Sequence, residues 1–405
     1  MSKQRFGLHP SYVIVFAGVC AALHVGKLPP ALPVLQVALN ITLVQAGFLL
    51  SAVQIASMTL GLVVGLNADS MGLRRSMLIG LGLLTFASVS GGFVTDVQSL
   101  LVLRALEGLG FLLVVMPAPA LIRLTVSPSQ LSSRMGWWGT YMPTGSALAL
   151  LFGPWVIEGL NWPAWWWLLS AVVAFAFMAI WLCVPDIRVP MPEQGDAGQT
   201  WSERLALTLK SPGPWLVAMT FAVYSSQWLA VVGFLPTVYA QFGLTAGVAG
   251  MLSACVALAN VTGNLMSGHL LQRGWSAQRL LFIGFFCMAF GAIGAYAVWH
   301  GESLPTWLRF TFVVMFSALG GLIPGTLFSC ALSLAPSEGT ISTTVGYMQQ
   351  FSALGQFIGP PLVAWVAASV GGWQWTWAVN AILSVFGAIL AYLIGEALHK
   401  KKIHG

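Results

Sequence analysis

Long apolar runs separated by short polar stretches dominate the chain from one end to the other. Three of the runs, residues 28–68, 211–272 and 339–395, contain no Lys, Arg, Asp or Glu. A membrane-spanning helix needs roughly 20 apolar residues, so each of these runs holds more than one span. The runs do not show the alternation of apolar and polar residues that is typical of barrel strands. The pattern therefore predicts an all-α membrane protein.

Twelve spans fit the apolar pattern, and a hydrophilic stretch at 185–212 separates them into six and six. We predict an N-terminal six-helix bundle at 1–184, a cytoplasmic linker at 185–212 and a C-terminal six-helix bundle at 213–405. Within the linker, residues 200–210 have the pattern of a short amphipathic helix. The spans are predicted at 12–34, 44–66, 76–95, 98–120, 133–157, 164–184, 213–239, 246–268, 279–299, 304–330, 341–366 and 374–396.

The distribution of charge supports this arrangement and sets an orientation. Charged residues make up only 7% of the chain and the mean hydropathy is +0.84, whereas soluble proteins average about 25% charged residues. All but three of the 17 Lys and Arg residues fall in the termini or in loops on one side. The positive-inside rule then places both termini in the cytoplasm of a multi-pass inner (plasma) membrane protein. Because the net charge of +6 comes from these loops, we expect no nucleic-acid partner.

The two halves repeat each other in sequence. Residues 46–65 match 249–268, and residues 16–36 match 221–241 more loosely. Parallel repeats of this kind place a solute site near the middle of the membrane, where the repeats meet. Trp-rich segments also recur at the outer ends of two spans, and we interpret them as an interfacial aromatic belt. These segments contain Trp162, Trp165, Trp166, Trp167, Trp373, Trp375 and Trp377.

The loop after the second span, GLNADSMGLRR (65–75), resembles the signature loop of the major facilitator superfamily. The matching positions are Gly65, Asp69, Gly72, Arg74 and Arg75. The resemblance implies that these residues form a latch that holds one conformation of the transporter. Ser70 and Leu73 stand where the family often has basic residues, so a weaker latch is expected.

Further motifs extend the resemblance over nearly the whole chain. RALEGLG (104–110) looks like the family's intramembrane Arg motif, and FGP (152–154) looks like a partial antiporter motif. Because IGP (358–360) repeats the second motif in the other half, we predict helix kinks at Gly153–Pro154 and Gly359–Pro360. The sequence is also similar to cyanate-transporter-like members of the superfamily. The resemblance implies twelve transmembrane helices in two parallel six-helix repeats.

Three basic residues fall inside spans. Burial of a charged side chain in the membrane is costly, so each of them is expected to have a partner or a function. At about 1.5 Å per residue, Lys27, Arg104 and Arg309 all lie about 8–10 Å deep in the outer half. Arg104 and Arg309 occupy equivalent spans of the two halves, and we predict that they form a clamp for a planar anion together with Lys27. For Arg309 the alternative is snorkelling to the surface.

Glu107 is the carboxylate that lies well inside a span, and it has two interpretations. It is a candidate proton-coupling site, or it neutralises Arg104 one turn away. His24, one turn before Lys27, is a second candidate for proton coupling, with helix packing as its alternative. Polar residues predicted to line the solute path are Tyr141, Tyr224, Gln227, Gln349 and Gln350.

We therefore predict a secondary active transporter that moves a small, organic anion by alternating access with proton coupling. The alternative is a drug:proton antiporter that exports amphipathic or cationic compounds. No nucleotide loop, zinc spacing or nucleophile–base arrangement appears, so we predict neither an enzyme nor a bound cofactor or metal. The expected partners are the solute, protons and membrane lipid, with the chain acting as a monomer.

Overall fold

The computed structural model describes residues 9–62, 72–186, 201–299 and 302–404, and these residues are almost entirely helical. In the first half the helices are α1 (Pro10–Gly26), α2 (Leu28–Ala38), α3 (Leu43–Ser51), α4 (Leu73–Gly91), α5 (Val97–Val115), α6 (Ala118–Thr125), α7 (Pro128–Gly139), α8 (Tyr141–Gly159) and α9 (Trp162–Cys183). After α3, a 3₁₀ turn at Ala52–Gln54 leads into helix that continues to Leu62.

The second half has the same helical character. Its helices are α10 (Trp201–Lys210), α11 (Pro212–Gln241), α12 (Ala246–Gln272), α13 (Ala277–Tyr296), α14 (Thr306–Gly320), α15 (Leu322–Leu334), α16 (Ile341–Val370) and α17 (Thr376–His404). Two 3₁₀ turns lie at Glu338–Thr340 and Trp373–Trp375, and β1 (Val298–Trp299) pairs antiparallel with β2 (Glu302–Ser303).

Helices occupy all twelve positions that the sequence predicts for spans. Within the described residues, ten helical segments are long and apolar enough to cross a membrane. The other two positions hold α4 and α8, each 19 residues long. Arg74 and Arg75 at the start of α4, and two prolines and Glu158 in α8, lower the mean hydropathy of these helices. The twelve-helix prediction is thus confirmed, and the 200–210 segment of the linker is the helix α10.

The described residues divide into two compact units. The first unit lies within residues 1–42, 52–196 and 244–254, and the second within residues 43–51, 197–243 and 255–405. The core of the first unit is formed by apolar faces of α1, α4, α5 and α9, with Ile14, Met77 and Val173 completely buried. The sequence boundaries at 184 and 212 stay a prediction.

Close helix packing in the first unit depends on small residues. A Cβ on Gly108 of α5 would collide with the backbone carbonyl of Val53. Gly153 of α8 lies against α2, where an added Cβ would be 2.7 Å from Cγ of Pro30. In the second unit, a Cβ on Gly359 would collide with the Ser226 carbonyl. These glycines let helix backbones approach one another.

Both predicted Gly-Pro motifs lie inside continuous helices. Pro154 is internal to α8, and Pro360 is internal to α16 together with Pro361. The observed role of Gly153 and Gly359 is close packing, and the predicted kinks stay a prediction.

The predicted latch is described only in part, since Gly65 and Asp69 fall outside the described residues. Gly72 is the N-cap of α4 and has a φ of 87°, which favours glycine. The guanidinium of Arg74 donates a hydrogen bond of 2.6 Å to the carbonyl of Trp181 near the end of α9, where helix carbonyls lack internal partners. Arg75 is exposed.

Candidate functional site

A break in the first span places the charged residues of the first unit. Helix α1 ends at Gly26 and α2 begins at Leu28, so Lys27 lies at the junction. Pro29 and Pro30 follow at once, and because proline has no N–H, the carbonyls of Val25 and Gly26 lose their helical donors. Lys27 keeps helical backbone angles (φ −68°, ψ −27°), so the chain stays helical from Pro10 to Ala38 while its internal hydrogen bonds are interrupted. The break thus creates a polar position inside an otherwise apolar span.

Four side chains from α1, the junction and α5 meet at this position, and we call them the charged cluster: His24, Lys27, Arg104 and Glu107. The ammonium of Lys27 forms an ion pair with Oε1 of Glu107, and Nη1 of Arg104 donates to Oε2 of Glu107 at 2.5 Å. Arg104 Nη1 also donates to the carbonyl of His24 at 2.7 Å. Nδ1 of His24 lies 3.4 Å from Nζ of Lys27 and 3.5 Å from Oε1 of Glu107.

The charged cluster is completely enclosed. His24, Lys27 and Arg104 have no exposed surface, and Glu107 is 1% exposed. Buried charges in proteins are paired, because an isolated ion loses its hydration. Here two cations share one carboxylate, so with a neutral His24 the cluster keeps one net positive charge. The observed geometry matches the interpretation in which Glu107 pairs with Arg104. Glu107 is also the ion-pair partner of Lys27, whose own span contains no acidic residue.

A shell of polar and aromatic groups holds Lys27 in place. Its ammonium donates to Oγ of Ser88 at 3.2 Å, and Ser88 in turn donates to the carbonyl of Trp166 at 2.8 Å. Nζ also lies 4.6 Å from the centre of the Trp166 ring, a cation–π contact. Nε1 of Trp165 donates to the carbonyl of Lys27 at 3.0 Å.

Sequence reasoning missed this shell. Trp165 and Trp166 are 2% and 1% exposed, so the interpretation of the Trp segment as an interfacial belt is wrong for these two residues. Trp167, at 39% exposure, keeps the accessible surface that a belt residue needs. The sequence WPAWWW at the start of α9 does not show which Trp rings are buried between helices. Consecutive aromatic residues point to different sides of a helix, so they do not mark a single buried face.

Arg309 belongs to the second unit and has a different environment. It lies in the first turns of α14, is 8% exposed, and donates from Nε to the carbonyl of Ala295 at 2.5 Å. Its guanidinium carbon lies 4.1 Å from the centre of the Phe242 ring. Within the described side chains, no carboxylate lies within salt-bridge distance of it. The structure therefore brings Lys27 and Arg104 together and assigns Arg309 to the other compact unit, and the two-arginine clamp stays a prediction.

Two predicted lining residues on α11 join uncharged hydrogen bonds in the second unit. The hydroxyl of Tyr224 accepts from Nδ2 of Asn260 at 2.8 Å, and that amide also donates to the carbonyl of Ser317. Gln227 donates to a carbonyl one turn back and accepts from Ser384 at 2.9 Å. Asn260 and Ser384 were missed by the sequence analysis, since single amides and hydroxyls within apolar spans carry no periodic signal.

The remaining lining candidates are less enclosed. Tyr141 stacks on Trp138 at 4.3 Å between ring centres and packs against the core of the first unit. Gln349 and Gln350 are half-buried on α16. In the part of the chain that the structure describes, no group of three or more His, Cys, Asp or Glu side chains could hold a metal ion.

Comparison with known proteins agrees with the fold. Residues 14–355 match the family model of the Major Facilitator Superfamily. Because this match covers most of the chain, the protein belongs to that superfamily and is a multi-pass membrane transporter, not an enzyme.

Relatives that are named as transport or resistance proteins align with most of the chain. The cyanate transport protein CynX of Escherichia coli (strain K12) is 23% identical over 383 residues, covering 92% of this chain and 94% of the relative. The 2-nitroimidazole transporter of the same organism is 26% identical over 381 residues, covering 91% and 90%. A chloramphenicol resistance protein of Pseudomonas aeruginosa is 24% identical over 349 residues, covering 78% and 82%.

Solved structures show the same architecture. A bacterial homologue of the human lysosomal transporter Spinster, crystallised in an inward-facing, unoccupied conformation, superimposes with a TM-score of 0.74 at 16% identity. The match covers 98% of this chain and 99% of that one. At this identity the likeness concerns the fold alone.

Proposed function

We propose that this transporter moves a small organic anion across the membrane by alternating access, in symport with protons. The observation that carries the proposal is the net positive charge of the charged cluster, which contains Lys27, Arg104 and one carboxylate in an enclosed setting. A monoanion complements that charge. Arg309 supplies a further cation in the second unit, where no described carboxylate offsets it.

Two further observations support this choice of solute. A cationic solute would meet a cluster that already carries surplus positive charge, which disfavours it electrostatically. The relative named as a cyanate transport protein handles a small anion and aligns over almost the whole chain. The hydrogen-bonding groups Tyr224, Gln227, Tyr141, Gln349 and Gln350 would give orientation and selectivity, as polar groups in a mostly apolar site do.

Proton coupling is proposed at the charged cluster, with Glu107 and His24 as the candidate groups. Glu107 is held by two cations, and a proton on its carboxylate would release both of them. Proton uptake and anion binding are linked in this way, because the two released cations attract the negatively charged solute. Both termini are proposed to lie in the cytoplasm, as the distribution of Lys and Arg indicates, and the chain is proposed to act as a monomer.

Uptake into proteoliposomes tests the proposal. We expect that the purified protein accumulates at least one of the monoanions cyanate, formate, acetate and benzoate, and that an imposed pH gradient increases the uptake. Lys27→Met and Arg104→Gln should each reduce anion uptake by about tenfold or more, since each removes a hydrogen bond to a charged group.

Arg279→Gln is the matched control, because it removes one positive charge at an exposed position outside the cluster. It should leave uptake unchanged. Wild-type rates for Lys27→Met and Arg104→Gln would contradict the proposed role of the cluster. Failure to accumulate any of the anions, with or without a pH gradient, would contradict the anion assignment.

The second candidate is a drug:proton antiporter that exports amphipathic or cationic compounds. The pairing of both cations with Glu107 favours it, because the paired cluster has less charge to offer an anion than three separate cations would. The chloramphenicol resistance protein among the relatives is consistent with it. The same proteoliposomes separate the candidates, since this one predicts transport of chloramphenicol, with anion uptake absent.

A further inference from the structure

The donors of Lys27 are fully used within the first unit. An ammonium group has three N–H donors and no acceptor. In the charged cluster these donors face Oε1 of Glu107, Oγ of Ser88 and Nδ1 of His24. Ser88 accepts here, because its own proton goes to the carbonyl of Trp166. Lys27 therefore contributes charge to the cluster, but it has no hydrogen-bond donor left to offer a solute in this conformation.

The same contacts fix the proton of His24. If Nδ1 carried a proton, an N–H would point at the N–H of an ammonium, which is repulsive. Nδ1 also lies 3.5 Å from Oε1 of Glu107, but that oxygen is already paired with the ammonium of Lys27, so we assign the lone pair of Nδ1 to the closer Nζ at 3.4 Å. A neutral imidazole carries one proton, and the tautomer follows from the bond that the other nitrogen makes. The proton of His24 is then on Nε2.

Nε2 of His24 is buried, and among the described residues it has no hydrogen-bond partner. A donor in this position is costly, because buried polar groups in proteins are nearly always satisfied. Its ring is held by the charged cluster, so the donor cannot turn away without breaking the contact to Lys27. An acceptor atom that reaches Nε2 would satisfy the donor and would at the same time lie beside the net positive charge of the cluster.

We infer that the Nε2–H of His24 donates a hydrogen bond to the transported solute. The accepting atom of the solute is a strong acceptor, such as an oxygen of a carboxylate or an oxygen or nitrogen of cyanate. This assignment rests on the proposed function of the charged cluster as the solute site and makes it more specific. It makes His24 a solute-binding residue and leaves Glu107 as the group that takes up the proton. Lys27 then acts as a positioning residue, which fixes the imidazole through Nδ1.

Nuclear magnetic resonance of the full-length protein in lipid nanodiscs, with ¹⁵N-labelled histidine rings, tests the donor directly. The spectrum separates protonated from unprotonated ring nitrogens. The His24 signals are identified in the wild type through the peptide bond to Val25, because His24–Val25 is the only His–Val pair in the sequence. We expect a neutral ring with the proton on Nε2. Titration with sodium cyanate and sodium formate should shift the Nε2 signal more than the Nδ1 signal.

Two substitutions separate the roles of the two ring nitrogens. His24→Gln places an amide N–H near the position of Nε2 and loses the acceptor near Nδ1, whereas His24→Asn keeps an acceptor near Nδ1 and loses the donor at Nε2. We expect His24→Asn to raise the KM for the transported anion about tenfold or more, and His24→Gln to raise it much less. Neither variant should change kcat as strongly as KM.

Several results would overturn the inference. One is a proton on Nδ1, or on both nitrogens, at neutral pH. Another is a His24→Asn variant that transports like the wild type while His24→Gln fails, since His24 would then serve only to hold Lys27. A third is the absence of any Nε2 shift with cyanate, formate and 2-nitroimidazole.

The wild-type spectrum keeps the test valid even if both variants fail to fold. A shift of the Nε2 signal with uncharged 2-nitroimidazole, together with no shift from either anion, would uphold the donor and overturn the anion proposal. The two proposals therefore fail on different observations.

Discussion

At the scale of single residues, the charged cluster contains more positive than negative side chains. Glu107 is the one acid among its four members, and both Lys27 and Arg104 depend on it. Removal of one partner from a buried ion pair is costly, because the other charge is left without compensation. The cost therefore differs from residue to residue, according to the charge that each substitution leaves behind.

This inequality gives a prediction for stability. Glu107→Gln leaves two cations together and should lower the free energy of unfolding by about 3–5 kcal/mol. Lys27→Met leaves a balanced Arg104–Glu107 pair, and should cost about 1–2 kcal/mol for its lost hydrogen bonds. Thermal unfolding of the detergent-solubilised variants, followed by intrinsic fluorescence, measures the order.

Glu158→Gln, at an exposed position in α8, is the control and should remain within about 0.5 kcal/mol of the wild type. A Lys27→Met variant that is less stable than Glu107→Gln would show that the charge balance of the cluster is not what sets its stability.

At the scale of elements, the position of α5 depends on a small residue next to Glu107. The Gly108→Ala variant should be destabilised by about 1–3 kcal/mol, because its added methyl group meets the backbone of Val53 and overpacks the contact. Gly82 of α4 has nothing within 4 Å of an added Cβ. Gly82→Ala should therefore be neutral or stabilising by about 0.5–1 kcal/mol, as glycine is a poor helix former.

Thermal unfolding of the two alanine variants gives the comparison. A loss of uptake in Gly108→Ala is also expected, because displacement of α5 moves both Arg104 and Glu107. Equal stability of the two variants would contradict the close contact between α5 and the 3₁₀ turn at Ala52–Gln54.

The start of α5 gives a prediction for pH dependence. Asp96 caps the helix by accepting from the backbone N–H of Ser99 at 2.8 Å, and this bond lowers the pKa of Asp96 below its ordinary value of 3.8. A lowered pKa in the folded state means that the cap stabilises the helix fully above the ordinary pKa. The contribution is lost as the pH falls through the lower, folded-state value.

Hydrogen exchange at Ser99 measures this effect as a protection factor between neutral pH and about pH 3. In the wild type, protection of the Ser99 amide should decrease as the pH is lowered. In Asp96→Ala it should be low at every pH. Asp96→Ser provides a cap that does not titrate, so its protection should not change with pH. A pH-independent wild type would contradict the role of the carboxylate.

At the scale of the whole molecule, the two halves share a helical plan but not their chemistry. In the repeat that aligns 16–36 with 221–241, Lys27 corresponds to Val232 and His24 to Leu229. The helical hydrogen bonds of the first span are interrupted at Lys27, whereas α11 is one continuous helix of 30 residues. Charge is thus concentrated in the first unit, and uncharged hydrogen bonds around Tyr224 and Asn260 take its place in the second.

This asymmetry predicts that proton coupling depends on the first unit, whereas residues of the second unit affect only the affinity for the anion. Arg309→Gln should weaken anion uptake while the ratio of uptake with a pH gradient to uptake without it stays unchanged, since no described carboxylate pairs with Arg309. Lys27→Met should lower that ratio toward one, because Glu107 loses one of the cations that a proton would release. Uptake and counterflow exchange in the same proteoliposomes measure both quantities.

Arg279→Gln again provides the control for loss of one positive charge. A loss of gradient stimulation in Arg309→Gln, at wild-type stability, would contradict the assignment of coupling to the first unit.

The sequence by itself predicted the twelve spans and their positions, because these follow from the local runs of apolar residues. It also determined that Arg104 and Glu107 share a helix face, since three residues separate them. Only the tertiary structure decided that Lys27, 80 residues away from Glu107 in the chain, shares the same carboxylate, and that Trp165 and Trp166 face inward. Those contacts depend on how neighbouring helices rotate and pack, and no periodicity within a single helix encodes that rotation.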